Sequence, residues 1–280
     1  MIFPFSLFAR EKVLFEKESL YHHIVVIEQD GVRYMKFGNN ILQSAVYTAN
    51  PLELQLEYTK YLPLSMLFNR QANRILMIGL GGGAFPRYMR EYFPNMQIDV
   101  VEIDPMVAEA AKKYFYFKED SRCKLSILDG RVFIKRSENK YDIIVLDAYN
   151  SDSIPFHLTT KEFLTEIKED LSPGGVVAAN LWSSDYDLYR AIIKTYGEVF
   201  PYLYKFRVWG KNNIVLVAGE EKFDKKEIIH RAGLLQEALK FDYDFVFAAS
   251  QLDMNEVELT GVPVLTDDYA PVDKLQHMGK

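Results

Sequence analysis

A chain of 280 residues, 49% hydrophobic and 26% charged, has the size and make-up of one large globular domain, or of a large domain with a small appendage. Its formal net charge of −6 argues against a nucleic-acid backbone as the main partner and suits a small cationic one. A single cysteine, Cys123, excludes an internal disulfide and a zinc site built on paired thiolates. With five histidines, two of them adjacent at His22 and His23, no metal is expected. No apolar run approaches the ~18–20 residues of a membrane span. The apolar start MIFPFSLFAR carries neither a basic leader nor a small-residue cleavage pattern, so the chain reads as cytoplasmic.

The first fifty residues predict a small antiparallel sheet. Ser19 to Ile27 holds the β-branched run Ile24-Val25-Val26-Ile27, Gln29-Asp30-Gly31 is a turn, and Val32 to Phe37 returns. Gly38-Asn39-Asn40 is a second turn, with Ile41-Leu42-Gln43 beyond it. From Pro51 the spacing of Leu52, Leu56, Tyr61, Leu64 and Phe68 predicts an amphipathic helix, bent or shortened at Pro63. The sequence therefore divides into a β-sheet domain over residues 1–50 and a second domain over residues 51–280.

After Arg74, strand and helix alternate as in a parallel sheet. Strands are expected at 75–78, 97–103, 124–128, 141–146, 176–180 and 213–218, with helices at 86–92, 106–115 and 163–170. The run Ile143-Ile144-Val145-Leu146 has the uninterrupted apolar character of a strand covered on both faces. Pro173-Gly174-Gly175 reads as the turn before the fifth of these strands. The expected fold is α/β, a mostly parallel, doubly wound Rossmann-like sheet.

Four successive strand ends carry polar residues suited to one ligand. Gly79, Gly81 and Gly83 follow the first strand directly, where they let the backbone turn and approach a ligand closely. Glu102 ends the second strand about twenty residues on, placed to accept hydrogen bonds from both hydroxyls of a ribose. Asp104, just before Pro105, reads as a helix N-cap. Asp129-Gly130 ends the third strand, where the carboxylate can accept from an adenine amino group. Asp147 ends the fourth and should project into the same crevice. These residues point to an adenosine nucleoside without separating a nicotinamide cofactor from S-adenosylmethionine. A second glycine fingerprint, which a dehydrogenase needs for its nicotinamide half, is missing.

In this order and spacing the sequence resembles the spermidine synthase group of polyamine aminopropyltransferases, within a divergent branch of spermidine synthase-like domains. The resemblance runs from Val13 to Val272 and takes in Gln43, Glu57, the glycine loop, VEID at 101–104, DG at 129–130, DAYNSDSIPFHLTTKEF at 147–163 and LTDDYAPV at 265–272. It implies a class I methyltransferase-like Rossmann fold and transfer of an aminopropyl group from decarboxylated S-adenosylmethionine to an amine such as putrescine, releasing methylthioadenosine. It further implies that Glu102 holds ribose, that Asp129 with Gly130 faces adenine, that Gln43 lies near the nucleoside, and that Asp147 takes a proton from the attacking amine. Glu57, Tyr149, Asn150 and Asp152 fall where the amine substrate would bind. The family also implies a homodimer.

Departures from the family pattern bear on the amine. The loop aspartate that holds the transferred chain's amino group is replaced by Gly82, and the last loop glycine by Ala84. The family's second aspartate is Asn150, and its Tyr-His pair before Glu57 is Gln55-Leu56. Two other readings therefore stand beside aminopropyl transfer. One is methyl or aminocarboxypropyl transfer from ordinary S-adenosylmethionine, and the other a non-catalytic nucleoside-binding homologue. His157 and Tyr149 are expected to contact substrate or to serve the fold, and Asp267-Asp268 to cap or turn the chain.

Overall fold

A computed structural model describes residues 11–38, 40–148, 155–184 and 186–277. The first sheet is an antiparallel meander of β1 (Lys12–Glu18), β2 (His23–Gln29), β3 (Val32–Phe37) and β4 (Ile41–Tyr47). Asp30 and Gly31 make the β2–β3 turn with φ of 53° and 78°, the left-handed pair that a two-residue hairpin requires. β1 escapes the sequence pattern because it is an edge strand. Only Phe15 of its side chains is buried, and charged residues surround it.

Residues 51–68 form no α-helix. Two short 3-10 turns stand there instead, at Glu57–Lys60 and Leu62–Leu67. Pro63 has no N–H to donate and would press on the carbonyl one turn back, which stops a continuous helix. Every residue of the second turn is buried, so the apolar spacing records burial on all sides rather than one helical face.

The second sheet has eight strands in the order β12-β10-β11-β9-β8-β5-β6-β7. They are β5 (Arg74–Ile78), β6 (Gln97–Glu102), β7 (Cys123–Ile127), β8 (Tyr141–Leu146), β9 (Leu171–Trp182), β10 (Tyr202–Arg207), β11 (Asn213–Gly219) and β12 (Leu252–Asp253). The strands β5 to β9 pair in parallel, and β11 runs antiparallel to both β9 and β10. Around them pack α1 (Ala84–Tyr92), α2 (Pro105–Tyr114), α3 (Gly130–Arg136), α4 (Lys161–Glu169), α5 (Tyr186–Gly197), α6 (Lys225–Leu239), α7 (Phe245–Ser250) and α8 (Val272–His277). This is the class I methyltransferase-like arrangement. Pro173-Gly174-Gly175 is a bulge inside β9 rather than a turn before it: Tyr141 pairs with Leu171, and Ile143 already with Val176.

One apolar cluster covers each face of the second sheet, the first around Leu64, Phe85 and Phe245, the second around Phe163, Ile167 and Ile192. A third joins the two sheets. Phe15, Ile24, Val26, Met35 and Phe37 pack on Val107 and Ala110 of α2 and on Phe115 just beyond it. The N-terminal sheet is thereby held over the crevice where strand order reverses between β5 and β8, the place where open α/β sheets bind ligands. Among the described residues no helix is long and apolar enough to cross a membrane.

Candidate active site

A cavity of about 680 Å³ opens at the carboxyl ends of the central strands, within the usual range for a small-molecule site. Its floor is the glycine loop and the ends of β5, β6 and β8. Its roof comes from the first sheet through His22, Phe37, Gln43 and Ser44. Gln43 sits at a bulge, skipped between the pairs Met35–Ser44 and Lys36–Leu42.

The glycine loop has two different jobs. Gly79 takes φ 95° and donates its N–H to Val101, while a Cβ on it would lie 2.3 Å from the Asp147 carbonyl oxygen. Only glycine lets β5 end so close to the end of β8. Gly79, Gly81 and Gly82 line the cavity. Gly83 does not: at φ 69° it caps α1 and leaves space for Phe117, whose ring a Cβ would meet at 2.7 Å. The expectation of a third ligand-facing glycine at 83 is corrected to a packing role.

At one end of the cavity Glu102 is buried and accepts the N–H groups of Leu80 and Asp104, both at 2.9 Å. Burial pushes its carboxyl up, and those N–H groups pull it part of the way back. Asp104 is fully buried and caps α2 through the Met106 N–H, as expected. Its other oxygen accepts from the Ser19 hydroxyl at 2.5 Å and faces the His22 Nδ1 at 3.4 Å. His22 is buried, and burial lowers its pKa against the pull of Asp104. The His22 Nε2 is buried without a partner among the described residues, while other atoms of the residue line the cavity. Asp129 caps α3 through the Val132 N–H and holds the His157 Nε2 at 2.8 Å. Gly130 must be bare because a Cβ there would strike Ile78 at 2.5 Å.

At the other end Asp147 has a donor on each oxygen. The Tyr58 hydroxyl donates to Oδ2 and the Asn180 amide to Oδ1, both at 3.0 Å, and Asn180 in turn accepts from Asn213 at 2.9 Å. Burial pushes Asp147 up to about 6, with Asn180 and Tyr58 holding it below what burial alone would give. A carboxylate with that value is charged at neutral pH yet close enough to exchange a proton. Glu57 lines the same wall but is paired with Lys60 at 2.7 Å.

The description "spermine/spermidine synthase domain" belongs to the family model that matches residues 56–211. The polyamine aminopropyltransferase of Vibrio vulnificus is 33% identical over 99% of this chain and 95% of its own length. The chain belongs to the spermine/spermidine synthase family. A spermidine synthase from Thermotoga maritima, 20% identical, superposes with a TM-score of 0.67 over 85% of this chain and 84% of its own, which shows a shared fold. Human methyltransferase-like protein 13, in a crystal structure with SAH, is 29% identical with a TM-score of 0.61, over 67% of this chain and 94% of that one.

The resemblance implied an aspartate where this glycine loop has Gly82, and the structure leaves no open space for a side chain there. A Cβ on Gly82 would lie 2.4 Å from the Ser44 hydroxyl and 2.9 Å from the Phe115 ring, so β4 and the end of α2 occupy the place of a side chain. Tyr149, Asn150 and Asp152 lie outside the described residues. Asp267 is not in the cavity; it forms a two-point ion pair with Arg131 and accepts from Thr160, tying the C-terminal segment to α3 and α4. Sequence reasoning missed Tyr58, Asn180, Asn213 and His22. Asn180 was open to the same strand-end rule that found Asp147. Nothing local marks His22, whose partner is 82 residues away.

Proposed function

We propose that this protein is an aminopropyltransferase-like enzyme that moves an alkyl chain from an adenosyl sulfonium donor to the nitrogen of a small amine. The observation that carries this reading is Asp147, a half-buried carboxylate held by Tyr58 and Asn180 in the same cavity as a nucleoside-sized cradle. In that cradle Glu102 accepts from the ribose hydroxyls, Asp129 with Gly130 meets the adenine, and Gln43 covers the nucleoside from above. An ammonium entering beside Asp147 gives up a proton to it, and the freed nitrogen attacks the carbon next to sulfur. The nitrogen–carbon bond forms as the carbon–sulfur bond breaks, leaving its electron pair on a neutral thioether. Because that leaving group needs no protonation, alignment supplies most of the rest. Glu57 flanks the amine. The donor in this reading is decarboxylated S-adenosylmethionine, whose three-carbon aminopropyl chain is the group moved; the Vibrio vulnificus relative is named a polyamine aminopropyltransferase. The same reading carries a cytoplasmic enzyme, a division near residue 50, and a homodimer, which sedimentation would check.

A second reading, transfer from ordinary S-adenosylmethionine, is favoured by the filled space at Gly82 and by the likeness to human methyltransferase-like protein 13. Mass spectrometry of the nucleoside product decides between them. Methylthioadenosine formed from the decarboxylated donor only when an amine is present supports aminopropyl transfer. S-adenosylhomocysteine from the ordinary donor replaces it with methyl transfer. Nucleoside binding without either product refutes both.

A further inference from the structure

The amine end of the cavity holds an aromatic side chain that the reaction as described leaves idle. Trp182 is the last residue of β9; it lines the cavity and is exposed. In register it lies opposite Asn213 of β11, and Asn180 precedes it by two residues on its own strand. Side chains two apart on an extended strand stand on one face, about 7 Å from each other. The hydrogen bonds agree with that placement: the Asn213 amide donates to Asn180, and Asn180 donates to Oδ1 of Asp147. Leu181 and Ile214, which point the other way, are buried in the cluster around Phe163. Trp182 therefore stands on the Asp147 side of the sheet, one strand step outward from the amide that holds the base.

An indole offers two things to an alkyl amine. Its face attracts a cation within about 6 Å of the ring centre, more strongly than the ring of tyrosine or phenylalanine does. Its carbon surface covers the methylene groups that lead to that cation. A short diamine with one nitrogen at Asp147 carries its other nitrogen several ångströms away, on the order of the step from Asn180 to Trp182. Asp147 and Trp182 are thus cation sites of different kinds. The carboxylate takes a proton and frees a nitrogen to attack; the indole face takes none, so the ammonium above it stays charged and unreactive.

We propose that Trp182 is a specificity-determining residue, whose indole face receives the far ammonium of a short aliphatic diamine while Asp147 deprotonates the near one. The inference rests on the group-transfer reading above and names the side chain that selects its acceptor. No bond forms or breaks at Trp182: the amine proton still passes to Asp147 and the carbon–sulfur electron pair to sulfur. The selection is for a second positive charge at the right reach, so a monoamine of the same chain length loses it.

Calorimetry on the full chain, Trp182→Phe and Trp182→Leu, each saturated with methylthioadenosine, compares putrescine with butylamine, the same carbon chain without the far nitrogen. The unaltered chain should bind putrescine about fivefold tighter or more. Trp182→Leu keeps an apolar side chain but no ring, and should bring the two amines together; Trp182→Phe should keep part of the preference. Methylthioadenosine affinity, unchanged throughout, is the check on folding. In turnover with the decarboxylated donor, Trp182→Leu should raise KM for putrescine by about the same factor and leave kcat nearly unchanged. In a Trp209→Phe chain Trp182 is the one tryptophan left, and putrescine should shift its fluorescence and shield it from acrylamide more than butylamine does. Equal affinities in the unaltered chain, a preference that survives Trp182→Leu, or emission indifferent to putrescine overturn the proposal. A Trp182-dependent preference without methylthioadenosine formed from the decarboxylated donor supports the tryptophan's role and counts against group transfer instead.

Discussion

Replacing Asp147 by asparagine should make the protein inactive and more stable at once. Burial raises the Asp147 carboxyl from 3.8 to about 6. That rise is equivalent to about 3 kcal/mol between the protonation states. Because the folded-state value is the higher one, the folded chain prefers the neutral acid. Well below the unfolded value of 3.8 the carboxyl is neutral whether the chain is folded or not, and the site carries no penalty. Above about pH 6 it is charged in both states, and the folded state bears the whole cost. An amide never bears it. It can still accept from Asn180, and its NH₂ can donate to the Tyr58 oxygen. Unfolding entropy of about 2.1 cal/mol/K per residue, taken over 280 residues, converts about 3 kcal/mol into a rise in Tm of roughly 5 °C. Thermal unfolding followed by fluorescence at about pH 7.5 and about pH 4 reads this directly, beside an activity assay in which transfer falls roughly a hundredfold or more. No gain at the higher pH, or an equal gain at both, would refute the account of Asp147 as a desolvated charge.

Tyr58→Phe removes a donor from the charged form of Asp147, so its pKa should climb and the acidic limb of kcat/KM move to higher pH by about a unit. A pH–rate profile with an unmoved limb contradicts this. Gly82→Asp, which restores the family's loop residue, should cost about 1–3 kcal/mol through overlap with Ser44 and Phe115, and Ser44→Gly should recover part of it. Denaturation of the single and double variants tests this, and a single variant as stable as its parent would show that the loop yields. Glu102→Gln sets an NH₂ against the Leu80 or Asp104 N–H, and nucleoside affinity by calorimetry should fall roughly tenfold or more. An unaltered affinity removes Glu102 from the ribose.

Much of this architecture was legible because parallel strands announce themselves. The central strands are short apolar runs, and a rule about their carboxyl ends led to Gly79, Glu102, Asp129 and Asp147 without any knowledge of their surroundings. Residues 51–68 misled because burial on every side produces the same apolar spacing as one helical face, and periodicity cannot tell them apart. Gly83 misled for a related reason: a glycine needed for packing and one needed for a ligand look alike in one dimension. His22 and Tyr58 were illegible because their value lies in partners far along the chain, Asp104 and Asp147. The closed space at Gly82 was equally hidden, since it depends on Ser44 and Phe115 from two separate elements.

Asp104 touches both the turn between β1 and β2 and, through its own N–H, the Glu102 carboxylate. A nucleoside held between Glu102 below and Gln43 above would act as a clasp, fastening a small sheet to a large one beside α2. Its binding energy would then be shared with the junction, about 2.7 kcal/mol at a hundredfold excess over Kd. The resting enzyme and the loaded enzyme would differ less in shape than in how firmly their two halves are joined.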